Sequence, residues 1–174
     1  MWKFFSPKLE KGIYRVRLGG PETTDNIVRK MRANGLLVDC IIPEARLITQ
    51  VNFPITPSES WREDDIEIFD PIPNLHYCLS EEEGLRFIAG KELERPTYEH
   101  ALRFAEQYGK TTARAGEKEY VFFLHEPLRC LNGEHRVLST THFRKLHGLF
   151  LGRSGLFDRC LLAGIRSRKQ ASAS

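Results

Sequence analysis

The sequence predicts an α+β domain: a mixed, largely antiparallel sheet with flanking helices, continued by a basic C-terminal helical pair. Three observations carry this. Strand-like alternation and helix-like apolar stripes follow one another without regular βαβ order. Asn132-Gly133, the sharpest turn signal in the chain, implies an antiparallel hairpin. Beyond it, two stretches carry helical spacing together with an excess of Lys and Arg. The 174 residues suit one core domain over 1–139, a helical hairpin over 140–169 packed on it, and an unstructured tail over 170–174.

The elements follow in order. Residues 13–18 alternate, with Tyr14, Val16 and Leu18 on one face and Arg15 and Arg17 on the other, as in a half-buried strand. Thr24 is the expected N-cap of a helix striped by Ile27, Val28 and Met31 and stopped at Asn34-Gly35. Residues 36–42 read as a buried strand interrupted only by Asp39, and 46–53 as a second strand aligning Leu47, Thr49, Val51 and Phe53. Five of the nine prolines fall between Pro43 and Pro73, so 54–65 reads as a surface loop leading to a short strand over 66–69. That loop is also the acidic part of the chain, with Glu59, Glu63, Asp64, Asp65, Glu67 and Asp70 against Arg62.

A short strand over 75–79 precedes a capping box, Ser80 with Glu83, whose helix closes at Gly90. Thr97 caps a further helix in which Tyr98, Ala101, Leu102, Ala105 and Tyr108 share a face and Gly109 ends the run. Residues 120–125 are apolar on both faces and therefore read as a central strand, up to Pro127. The Asn132-Gly133 hairpin leads to a strand over 135–139, then to expected helices over 140–151 and 155–168.

Charge is the best clue to function. Residues 128–174 hold nine of the 26 Lys and Arg but only Glu134 and Asp158 among the 23 acids, a net of +7, which leaves the first 127 residues at −4. The expected partner is a polyanion, with nucleic acid as the leading class, contacted at phosphates by Arg129, Arg136, Arg144, Lys145, Arg153, Arg159, Arg166, Arg168 and Lys169. A two-residue loop at Asn132-Gly133 would set Arg129 opposite Arg136, where a bound anion would relieve their repulsion. It would also set Cys130 opposite His135, the geometry by which an imidazole activates a thiolate. A helix-turn-helix reading of the last two helices fails on the apolar opening Gly155-Leu156-Phe157, which wants burial.

No phosphate-loop, dinucleotide-binding, zincin or nucleophile-elbow motif is present. The four cysteines, Cys40, Cys78, Cys130 and Cys160, lack zinc-site spacing, and His125, Cys130 and His135 name no fourth ligand. Asp65 and Glu67 share a strand face that a divalent ion would bridge, without the lysine that a nuclease site places nearby. No apolar run reaches membrane-spanning length and the start of the chain does not read as a secretory signal, so the expectation is a cytoplasmic protein with reduced thiols and neither metal nor cofactor.

Two other functional classes follow from particular residues. Leu75-His76-Tyr77, ahead of the helix that ends at Gly90, resembles the opening of ADP-ribosyltransferase folds, in which a strand histidine helps hold NAD. The enzyme alternative is a small transferase or hydrolase, ADP-ribosyltransferase-like around His76 as that resemblance implies, or built on Cys130 with His135. Trp2, Phe4, Phe5 and Trp61, if exposed together, would be anchors for a protein partner in a larger assembly. Binding is favoured over catalysis.

Overall fold

The computed structural model describes residues 8–38, 47–73, 79–112, 118–143, 146–153 and 160–167. Its elements are β1 (Gly12–Gly19), α1 (Thr24–Ala33), β2 (Leu37–Val38), β3 (Trp61–Phe69), α2 (Glu81–Gly90), α3 (Tyr98–Tyr108), β4 (Tyr120–Phe122), β5 (Leu128–Arg129), β6 (His135–Phe143), β7 (Leu146–Arg153) and β8 (Cys160–Ile165). The strands form one sheet in the order β1-β3-β8-β4-β6-β7-β2, with β5 paired to the start of β6. Only β4 with β8 and β2 with β7 run parallel; the other pairings are antiparallel. Mixed, largely antiparallel α+β architecture is therefore what these residues adopt.

The sheet is covered on both faces. Val16, Leu18, Ile66, Leu138, Leu149 and Leu161 bury against Ile27 and Met31 of α1 and Leu102 and Phe104 of α3. On the opposite face Phe122, Leu124, Val137 and Leu162 pack with Ile88 of α2. Tight contact sets the spacing there: a methyl on Gly84 would come within 2.5 Å of the Leu124 side chain, so glycine lets α2 lie close to the sheet.

The cleanest helix signals hold. Ser80 accepts from the Glu83 amide at 3.2 Å while the Glu83 carboxylate accepts from the Ser80 amide at 2.9 Å, both halves of the capping box. In α3 the same box is built with a histidine, the Thr97 amide donating to His100 Nδ1 at 3.1 Å. For α1 the cap shifts by one residue to Thr23, because Thr24 is buried and its hydroxyl donates to the Phe53 carbonyl.

Elsewhere the structure corrects the expectations. Residues 47–53 are turns, not a strand: Phe53 N–H donates to the Thr49 carbonyl at 2.9 Å, and Gln50 is tied to Asp25, Thr24 and Ile55 around the start of α1. Residues 61–65, expected in a loop, belong to the nine-residue β3, whose acids are matched across the ladder by β1, Arg15 opposite Asp65 and Arg17 opposite Glu63. The expected C-terminal helical pair is replaced, in its described residues, by strands. β6 runs on through residue 139 to Phe143, β7 follows, and β8 lies between β3 and β4 with all six residues buried. A fully buried strand has no polar face, so a continuous run such as Cys160–Ile165 carries no period that separates it from a buried helix.

The hairpin register differs as well. Leu128 lies opposite Arg136 and Arg129 opposite His135, so the loop has three residues instead of two. Gly133 N–H closes a turn on the Cys130 carbonyl at 2.9 Å, Gly133 takes φ +80°, and Cys130 N–H donates to Glu134 O at 2.8 Å. This is the type I turn with a left-handed glycine bulge, which uses Asn-Gly without a positive φ at Asn132.

Candidate functional site

Strand directions gather several cationic positions at one end of the sheet, where β6 begins and β7 and β8 end. Arg136 and Arg153 are direct partners across β6 and β7. Arg136 donates to the Glu134 carboxylate at 2.8 Å and to the Leu151 carbonyl at 3.3 Å, with its side chain 13% exposed. Arg129 is exposed, but the one-residue register change turns it to the opposite face, beside His135. Arg166 follows β8, half-buried, its amide donating to the Asp65 carbonyl at 2.9 Å. The expected pairing of Arg129 with Arg136 is therefore replaced, in backbone register, by that of Arg136 with Arg153. Arg144, Lys145, Arg159, Arg168 and Lys169 lie outside the described residues, as do Asp39, His76, Trp2, Phe4 and Phe5.

The same correction separates Cys130 from His135, since Cys130 N–H bonds to Glu134 O and His135 pairs with Arg129. Among the described residues no group of three or more His, Cys, Asp or Glu side chains is placed to hold a metal ion. Asp65 and Glu67 are spent on cations: Arg15 reaches Asp65 at 3.0 Å and Lys91 reaches Glu67 at 2.9 Å.

Three buried histidines serve the fold. His125 stands where the chain breaks away from the ladder between β4 and β5. Its Nδ1–H donates to the Glu126 carbonyl at 2.6 Å and its Nε2 accepts the Leu138 amide at 2.8 Å, replacing the missing strand acceptor. Arg95 holds the same bulge, donating to the Leu124 and His125 carbonyls and to the Glu126 and Glu81 carboxylates. Burial pushes the His125 imidazole down to about 4, over the opposing pull of the Glu126 carbonyl and with help from Arg95. His142, between Thr111 and Thr140, is likewise pushed down by burial to about 4. His100 is also lowered, burial outweighing its 3.2 Å contact with Asp64.

A cleft of about 410 Å³ opens where β1 ends, β3 begins and α3 starts. Leu18, Pro54 and Ile55 give it an apolar base. Thr56, Ser58, Ser60 and Arg62 line one side, Thr97, Tyr98 and Glu99 the other. Glu99 is fixed by accepting the Gly19 amide at 2.7 Å, and Tyr98 by donating to the Pro54 carbonyl. Sequence reasoning placed these residues in a loop and a helix cap, and only the topology that folds 54–62 onto the start of α3 brings them together.

Comparison with protein-family models, curated proteins and solved structures returns no match. No helix among the described residues is long and apolar enough to cross a membrane.

Proposed function

We propose that the chain is a binding protein that engages a polyanion, nucleic acid being the leading class, through the cations of residues 128–174. The observation that supports the reading is how the molecule spends its acids. The +7 of this segment has one evident rival partner in the same chain, the acidic stretch 59–70. Yet Asp65 pairs with Arg15, Asp64 with Arg62 at 3.4 Å, Glu67 with Lys91, and Asp70 with Lys118 at 2.6 Å, all cations from the first 127 residues. Paired acids present little field to distant charges, which leaves the C-terminal excess for an external partner.

The test is binding of a labelled random-sequence oligonucleotide by the full chain and by a variant carrying Arg129→Gln, Arg144→Gln, Lys145→Gln, Arg153→Gln and Arg159→Gln. Affinity of the native chain should fall steeply with salt, with a log–log slope of about −0.7 to −0.9 per phosphate contacted. The variant should bind at least about tenfold more weakly and with a shallower slope. No binding by the native chain at about 50 mM salt, or equal binding by a folded variant, overturns the reading.

A further inference from the structure

The cleft at the start of α3 contains none of the C-terminal cations, so what it does is independent of polyanion binding. Its chemistry is mixed in a specific way. Arg62 is half exposed and uses Nε on Asp64 at 3.4 Å, while among the described residues no bond to its two terminal nitrogens is present. A guanidinium in that state offers a planar fork to a phosphate, which accepts two parallel bonds. A bare anion site would not also contain a carboxylate, yet Glu99 lines the cleft, held in place by the Gly19 amide at 2.7 Å. A fixed carboxylate is an acceptor for hydroxyl groups, and Ser58 and Ser60, 2.8 Å apart at their hydroxyls, add groups that both donate and accept. Exposed Pro54 leaves apolar surface for the C–H face of a ring, above the buried Leu18 and Ile55. A volume of about 410 Å³ accommodates a small molecule of this kind.

We propose that this cleft binds a small phosphorylated sugar, its phosphate on Arg62 and its hydroxyls on Glu99, Ser58 and Ser60. Ribose 5-phosphate is the probe, with ribose and inorganic phosphate as partial ligands, and titration calorimetry with backbone-amide NMR as the readouts on the full chain. Ribose 5-phosphate should bind more tightly than either fragment, with amide shifts confined to 54–62 and 97–99. Arg62→Ala should weaken it at least about tenfold, and Arg62→Lys, which keeps charge but loses the fork, by an intermediate factor. Glu99→Gln retains an oxygen for the Gly19 amide, so the fold is kept; it should weaken ribose 5-phosphate several-fold and leave inorganic phosphate unchanged. Absence of saturable binding up to about 10 mM overturns the proposal. So does unchanged affinity in both Arg62 variants, or a shift pattern centred on Arg129, Arg136 and Arg153. The oligonucleotide experiment reads the latter residues, so the two ideas fail separately.

Discussion

At the scale of single residues, the buried histidines carry the clearest physical consequence. His142 donates from Nδ1 to the Thr111 carbonyl at 2.9 Å and faces the Thr140 hydroxyl with Nε2 at 2.8 Å, and its burial disfavours the charged ring. His125 accepts a backbone amide on Nε2, which an imidazolium cannot do. Their folded values of about 4 lie below the ordinary histidine value of about 6.5. Between those two values the unfolded chain binds protons that the folded chain refuses. Stability is therefore greatest above about pH 6.5 and falls as pH drops toward 4, by on the order of 2–3 kcal/mol per histidine. Urea unfolding of the native chain and of His142→Gln at pH 7 and pH 4.5 checks this. The variant should be weaker at pH 7 but lose less on acidification; equal losses in the two proteins would show that His142 does not contribute.

At the scale of elements, the exposed edge of β1 is the informative case. An eight-residue edge strand with half-exposed Ile13 would invite pairing with another chain. α3 covers it with side chains that imitate a neighbouring strand. Gln107 accepts the Arg17 amide at 3.2 Å and donates to the Arg17 carbonyl at 3.0 Å, Tyr108 donates to the Arg15 carbonyl at 2.7 Å, and Glu99 takes the Gly19 amide. Gln107→Ala should cost about 1 kcal/mol and make the protein associate at high concentration. Urea titration and sedimentation velocity read the two effects, and a variant unchanged in both would mean that the edge is guarded by other means.

The same element shows what was legible and what was not. The alternation of Tyr14, Val16 and Leu18 and the capping box of Ser80 and Glu83 are local signals with local causes, and β1 and α2 follow from them. β3 was hidden because its charged residues look solvated until Arg15 and Arg17 are known to face them. Phe143, Leu146 and Phe150 have helical spacing, which is why 140–151 reads as a helix; in the structure Gly148 instead lets β7 lie close to β2, since a methyl there would meet the Leu37 carbonyl at 2.3 Å. The hairpin was located correctly and misregistered by one residue, because Asn-Gly serves two turn geometries and the letters do not choose between them. Of the proposed cationic positions, the charge is legible in the sequence and the grouping is not: Arg136 and Arg153 come into register through a strand that the sequence does not announce.

At the scale of the whole molecule, the cations proposed to bind a polyanion are carried on strands that hold the sheet together. β8 pairs with both β3 and β4, so its loss would separate β1 and β3 from the rest. β7 joins β6 to β2. Ending the chain after Ser139 removes Leu149, Leu151, Leu161, Leu162 and Ile165 from the core. At about 1.5–3 kcal/mol for each buried aliphatic side chain, that loss is on the order of 10 kcal/mol. It is comparable with the whole net stability of a domain, about 5–15 kcal/mol. The truncated chain should therefore lack a cooperative thermal transition and show collapsed amide dispersion in its NMR spectrum. A folded truncation would mean that residues 1–139 form an independent unit and that β7 and β8 merely dock on it. Because unfolding is the expected result, loss of binding on truncation would say nothing about phosphate contacts. Charge-neutralising substitutions that spare Leu161 and Leu162 are the means of separating the two roles of this segment.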